Sequence, residues 1–229
     1  MSAAEKVEQQ GVGFYSLPPC EGEREGRWSK MSETGDSGQI RDAVLGTATR
    51  LFAQMGYDGV SLDTIAAATG VAPASLTALY RDKRELYLAV MDRGTRQLDT
   101  YVAPAFAAFT PDADGLIRVV DRLLDHALEH PELWSMWMQR WMSDAVDIAD
   151  VEQRFAMEMF RAWSRLVESA LAPGVDAYVV LMSVLWLVNG FIHSGLVDEE
   201  GHRSPRDPAA RRLFRAHLHL VLRQFAASD

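Results

Sequence analysis

From residue 40 onward, apolar residues return every three or four positions, and strict alternation is nowhere sustained over a strand's length. That period predicts helices throughout and an all-α fold. Val44, Ala48, Leu51, Phe52 and Met55 share one helical face, and Gly56 follows where a helix C-terminus favours left-handed dihedrals. Ser61 offers an N-cap oxygen to a short second helix carrying Ile65, Ala66 and Thr69, which Gly70 stops. Pro73 suits the first turn of a third helix, with Leu76 and either Leu79 or Tyr80 turned inward. Asp82 and Glu85 form a capping box for a fourth, which contains Leu86 and Val90.

Further on, the Tyr101–Pro104 stretch reads as the start of a linker. A fifth helix begins at Pro111 and Asp112, with Leu116, Val119, Val120, Leu123, Leu124 and Leu128 as its apolar stripe. Pro131 ends it and opens a short sixth helix rich in Trp and Met. The pattern then predicts a seventh over residues 147–171, an eighth over 176–196 and a ninth from Ser204–Pro208 to Ala226, about nine in all. The eighth is uncharged over 177–197, long enough to cross a bilayer. Asn189 and His193 interrupt it, its flanks are acidic and no basic cluster orients it, so a buried helix packed on two sides fits better than a membrane span. Residues 1–39 mix Gly, Pro, Glu and Ser without periodicity and read as a flexible N-terminal arm, with Trp28 and Lys30 nearest the fold.

Two short helices joined by a tight Gly-containing turn are helix-turn-helix organisation. Three linked runs sharpen the assignment: Ala48, Leu51, Phe52, Gly56 and Tyr57; then Ser61, Ile65, Ala66, Gly70 and Val71; then Leu76, Tyr80, Lys83 and Leu86. Together they resemble the N-terminal DNA-binding domain of the TetR family of transcriptional regulators. The resemblance implies a DNA-binding domain over 40–92 and a helical effector-binding and dimerisation domain over 93–229. It makes the third helix the recognition helix, with Pro73, Ala74, Ser75, Thr77, Ala78 and Leu79 facing DNA. Ser61, Thr64 and Lys83 would then touch phosphates. It also implies a four-helix dimer interface built from the last two long helices, and the 4-3-4 spacing of Phe214, Leu218, Val221 and Phe225 suits that seam. Departures from the family pattern concern specificity. Thr77 and Leu79 stand where aromatic or polar residues are common, and Ala72 holds the usual capping position. No Arg, Asn or Gln lies between Pro73 and Tyr80, so bidentate base contacts from this helix are unavailable.

Net charge of −9 suits a DNA binder only once it is divided along the chain. Residues 1–39 carry 4 basic and 7 acidic groups, residues 40–94 carry 6 and 6, and residues 95–229 carry 13 and 19. The acidity therefore lies outside the helix-turn-helix, whose neutrality predicts modest non-specific DNA affinity. A single cysteine, Cys20, excludes an intrachain disulfide and fits a reducing cytoplasm. The N-terminus lacks the basic and apolar regions of a secretory signal.

Four of the six tryptophans fall within thirty residues, Trp134 to Trp163, interleaved with methionines. Each alone reads more readily as core; together they suit an adaptable apolar pocket among the middle helices, where TetR-like proteins hold an effector. The expected lining is Trp134, Met138, Trp141, Phe155, Met159, Trp163 and Trp186, with Asn189 or His193 as polar anchors. His126 and His130 have a helical metal-ligand spacing, but Pro131 disfavours helix at His130 and no third ligand is near. No nucleophile elbow, phosphate loop or Cys cluster is present. The sequence thus predicts a non-enzymatic, cytoplasmic homodimer without cofactor or metal, bound to no membrane. Its partners are a palindromic double-stranded operator and a small apolar or aromatic effector, most simply as a repressor released by that effector. A small-molecule-binding helical dimer with weak or lost operator recognition stays open as the alternative.

Overall fold

Helix α1 (Asp36–Met55) buries Val44, Ala48 and Phe52 and stops where Gly56 takes a φ of +75°. Met55, expected on the same face, is half-exposed because the last turn runs past the core it packs on. The structure is a computed structural model that describes residues 36–199 and 201–227. The arm up to residue 35, with Trp28 and Lys30, lies outside the described residues. Ser61 caps α2 (Leu62–Thr69) by accepting from the Thr64 backbone N–H at 3.0 Å, and Gly70 ends it at φ +74°. Helix α3 (Pro73–Leu79) starts from Ala72 with no side-chain cap. Its inward residues are Leu76 and Tyr80; Leu79 is only half-buried. Asp82 accepts from Glu85 N–H at 2.8 Å, while the Glu85 carboxylate accepts from Arg81 N–H at 2.8 Å. Side chains thereby satisfy two donors at the start of α4 (Lys83–Ala107).

The proline at 104 does not open a linker: α4 continues through it to Ala107. A proline one turn from a helix end forfeits little, since few hydrogen bonds remain beyond it. Arg122 reinforces that turn, donating to the Tyr101 carbonyl at 2.9 Å and lying 3.9 Å over its ring. Asp112 caps α5 (Ala113–Glu129), whose apolar stripe is buried as its spacing predicts, except Leu128, which is half-buried. His130 alone separates it from α6 (Pro131–Trp141), which Pro131 opens.

The single helix expected over 147–171 is broken. Ser143, Ala145 and Asp150 adopt positive φ in an irregular segment, followed by α7 (Val151–Phe155) and α8 (Met157–Glu168). Buried Ala145, Ile148 and Val151 anchor that segment, so tertiary packing overrides its helical pattern. Asp176 caps α9 (Ala177–Ser194), which is long and apolar enough by composition to span a membrane; 44% of it is buried within the chain. A two-stranded antiparallel hairpin, β1 (Leu196–Asp198) and β2 (Gly201–Arg203), interrupts the helices of the described residues before α10 (Pro208–Phe225).

Around α5, α4 packs on one side and α9 and α10 on another. Basic residues of α10 meet acidic residues of α5: Arg215 reaches Asp121 at 2.7 Å and also pairs with Asp125, and His219 reaches Asp121 at 2.8 Å. One contiguous core runs from Val44 on α1 to Leu222 on α10, so the helix-turn-helix and the remaining helices are packed as neighbours.

Candidate functional site

An aromatic cluster of Phe52, Tyr57 and Tyr87, with centroids 5.0–6.1 Å apart and Tyr87 edge-to-face with both others, holds the first helices together. With Leu76 and Tyr80 turned into that core, the opposite face of α3 is left to solvent: Pro73, Ala74, Ser75, Thr77 and Ala78 are all exposed. The Thr77 hydroxyl lies 3.1 Å from the carbonyls of both Pro73 and Ala74 and donates into its own helix. That leaves its methyl and lone pairs outward. The Ser61 and Thr64 hydroxyls contact each other at 2.8 Å. Lys83, expected on phosphate, donates from Nζ to the Tyr57 carbonyl at 2.9 Å and sits 4.1 Å over that ring. At least one of its three N–H groups thus braces the α1–α2 turn.

A second feature lies among α4, α6, α8 and α9. Trp134, Trp137, Trp141, Met159, Phe160 and Trp163 surround a chamber of about 30 Å³, with Asn189 at its wall. Phe106 stacks on the outside of Trp163 at 5.0 Å. Trp141 and Phe160 also border an apolar cleft of about 190 Å³ reaching Tyr178 and Met182. Asn189 is fully buried; its amide nitrogen donates to the Leu185 carbonyl at 3.0 Å, and its Oδ1 has no partner. An unmade buried acceptor is costly, and here it borders an aromatic chamber.

Five of the nine residues expected to line a pocket meet there: Trp134, Trp141, Met159, Trp163 and Asn189. Met138 and Phe155 do not, and the break at Ala156 carries Phe155 to a groove beside Leu88 and Arg154. Trp186 is more than half exposed and does not border the chamber, although it stands only three residues from Asn189 on α9. His193 is exposed and contacts the Ser135 hydroxyl at 2.8 Å. Trp137 and Phe160 were missed, although Trp137 sits three residues after Trp134 and so falls on the same helical face.

The residues assigned to a dimer seam need a similar correction. Phe214 stacks on Phe191 at 4.1 Å and Leu218 is fully buried, so both belong to the chain's own core. Val221 and Phe225 are half-buried. The large apolar residues left outward on these two helices are Leu213 and Leu220 on α10 and Tyr178, Val179 and Trp186 on α9.

Helix α6 joins the chamber to the helix-turn-helix. While Trp134, Trp137 and Trp141 face the chamber, Gln139 on the same helix donates to the Ala53 carbonyl of α1 at 2.8 Å. Just past its end, the Asp144 carboxylate accepts from the backbone N–H groups of Tyr57 and Asp58 at 2.7 and 3.1 Å. Arg140 holds the segment in place, pairing with Glu152 at 2.8 Å and donating to the Ala145 carbonyl. Hydrogen bonding to Arg140 holds the Glu152 carboxyl below its ordinary value.

Residues 44–90 match the family of bacterial regulatory proteins named for TetR. Residues 44–90 thus carry a DNA-binding domain of the TetR type, and the fold of the whole agrees with that of solved TetR-family regulators. A TetR-family regulator from Marinobacter aquaeolei superposes with a TM-score of 0.62 at 22% identity, covering 85% of this chain and 98% of that one. The ketosteroid transcriptional regulator of Mycobacterium tuberculosis gives 0.62 at 16% identity, covering 82% and 95%. AibR, solved with isovaleryl coenzyme A and operator DNA, gives 0.60 at 19% identity, covering 81% and 99%. No curated protein matches in sequence.

Proposed function

We propose that this TetR-family chain is a cytoplasmic, ligand-responsive repressor that binds a palindromic operator as a homodimer and is released by an apolar or aromatic effector. The observation that carries this reading is α6 and the segment just past it: the helix lines the aromatic chamber, its Gln139 holds α1 at the Ala53 carbonyl, and Asp144 beyond its end holds the α1–α2 turn of the DNA reader. A chamber of about 30 Å³ holds little more than one water, so any larger ligand requires its walls to part. The ligand therefore favours a conformation in which α6 has moved, and the helix-turn-helix moves with it. A coupling of about 1–3 kcal/mol would weaken operator binding about 5- to 150-fold, and operator would weaken ligand binding equally. AibR, of the same fold, has been solved with both a ligand and operator DNA, which supports pairing the two functions.

Residues 40–92 serve as the DNA-binding domain and 93–229 as the effector and dimerisation domain in this scheme. Dimerisation uses the outward faces of α9 and α10, where Val179, Trp186, Leu213 and Leu220 lie exposed. Nothing in the reading calls for a catalytic step, a cofactor or a metal.

The second reading, a helical dimer with weak operator recognition, is favoured by one feature. The exposed face of α3 has no bidentate base reader, and the Thr77 hydroxyl turns back on its own helix. Selection from randomised palindromic DNA, followed by titration of the selected site with lipophilic aromatic compounds, separates the two. Recovery of a site whose affinity falls on ligand addition is expected. Failure to enrich any palindrome would favour the second reading, and equal ligand affinity with and without DNA would overturn release.

A further inference from the structure

A separate cleft of about 250 Å³ lies between α1 and α4 on one side and the α5–α6 junction on the other. Val90, Leu133 and Met136 give it apolar walls, and Arg50 and Arg93 supply two guanidinium groups against the single carboxylate of Glu132. Arg50 has no ion pair among the described residues and donates only to the Thr47 hydroxyl at 3.1 Å. Arg93 reaches Asp42 at 3.3 Å, but the pair lies at the surface, with Arg93 half-exposed and Asp42 mostly exposed, where such pairs hold weakly. The most telling group is His126, fully buried and among the residues that line the cleft. Its Nδ1 accepts from the Trp134 indole N–H at 3.1 Å, which puts the proton of the neutral ring on Nε2. That Nε2 is buried and has no partner. Burial pushes the imidazole down to about 4, so it stays a neutral N–H donor at physiological pH.

We infer that this cleft is a second ligand site, taking a small organic carboxylate with an apolar body. One carboxylate oxygen accepts from His126 Nε2–H while the charge is met by Arg50 and Arg93. The apolar body covers Val90, Leu133 and Met136. Inorganic anions would leave those walls bare, and a neutral molecule would leave the guanidinium groups without a counter-charge. The volume equals about eight waters, room for a single ring or a short branched chain. Gly46 and Gly94 keep the α1 and α4 walls low: a Cβ at Gly94 would stand 2.8 Å from Leu133 Cδ1, while one at Gly46 meets nothing within 4 Å.

The cleft and the aromatic chamber meet at two residues. Leu133 borders both, and the Trp134 indole that faces the chamber is bonded to the imidazole that lines the cleft. The carboxylate site stands without the regulatory reading; its influence on the chamber rests on that reading.

The test uses the full chain, benzoate as probe, and benzamide and sulfate as controls, with no DNA present. Indole N–H resonances are followed by NMR, with that of Trp134 assigned through Trp134→Phe. Benzoate is expected to saturate and to move the Trp134 resonance, because a ligand accepting from Nε2–H alters Nδ1 as an acceptor. Arg50→Gln should weaken it about tenfold or more, and benzamide should bind about tenfold more weakly than benzoate. Gly46→Leu, which fills the cleft from an open helical position, should abolish binding with the thermal midpoint kept. Four results would overturn the assignment: no saturation at millimolar benzoate, equal binding of benzamide, the same shift from sulfate, or benzoate affinity unmoved by both Arg50→Gln and Gly46→Leu. Because operator DNA is absent from the experiment, its failure is distinct from a failure of the regulatory reading.

Discussion

The Asp144 carboxylate accepts the Tyr57 backbone N–H at 2.7 Å across 87 residues of sequence, joining the segment after α6 to the turn between α1 and α2. Its second oxygen takes the Asp58 N–H at 3.1 Å. Asp144→Ala leaves the part-buried Tyr57 donor without its acceptor, while the exposed Asp58 N–H turns to water, and should destabilise the fold by about 1 kcal/mol, read from urea unfolding. In the proposed mechanism it also cuts the connection between chamber and DNA reader. Ligand should still quench tryptophan fluorescence while operator affinity, followed by anisotropy, no longer responds.

Gly56 and Gly70 share a left-handed φ, +75° and +74°, but not their surroundings. A Cβ at Gly56 would stand 3.0 Å from the Asp144 Oδ1, whereas one at Gly70 meets nothing within 4 Å. Gly70→Ala should cost about 1 kcal/mol from backbone conformation alone. Gly56→Ala should cost about 2 kcal/mol or more, since the added methyl crowds the carboxylate as well. Equal losses in chemical denaturation would show that the Asp144 contact yields freely.

His126 makes stability depend on pH. Burial lowers its value from 6.5 to about 4, so between those values the unfolded chain binds more protons than the folded one. The stabilisation is complete above pH 6.5 and is lost as pH falls towards 4. At about 1.4 kcal/mol per unit, the unfolding free energy should drop by about 2 kcal/mol between pH 7 and 5. His126→Gln should flatten that part of the profile in urea titrations; an unchanged slope would assign the dependence to other groups.

The outward faces of α9 and α10 give opposite expectations for neighbouring residues. Trp186 and Leu220 are 56% and 64% exposed, so Trp186→Asp and Leu220→Asp should keep helical circular dichroism and sediment as monomers. Phe214→Asp puts a charge against Phe191 in the chain's own core and should unfold the protein. A dimer that survives both surface changes would move the interface elsewhere.

The DNA reader was legible because its signals are local: caps at Ser61 and Asp82, glycines at 56 and 70, and an apolar face within each short helix. The chamber was legible in composition but not in detail. Trp186 lies on an almost wholly apolar helix, where periodicity cannot say which face turns inward. On α10 the stripe Phe214, Leu218 and Leu222 runs beside Leu213 and Leu220, and spacing alone does not assign either to the chain's own core. The contact of Asp144 with Tyr57 left no trace in the sequence, since a lone aspartate carries no mark of a partner 87 positions away. The break at 142–150 was hidden because its helix-compatible residues are pinned by burial of Ala145 and Ile148.

The near-filled chamber also bears on time. A molecule larger than water cannot occupy the 30 Å³ chamber until rings such as Trp141 and Phe160 swing aside, so entry from the neighbouring cleft waits on a spontaneous opening of the protein. At high concentration the observed association rate should level off at the frequency of that opening. Exposures shorter than the waiting time would pass unanswered, and the protein would respond to an effector's persistence rather than to its momentary peak.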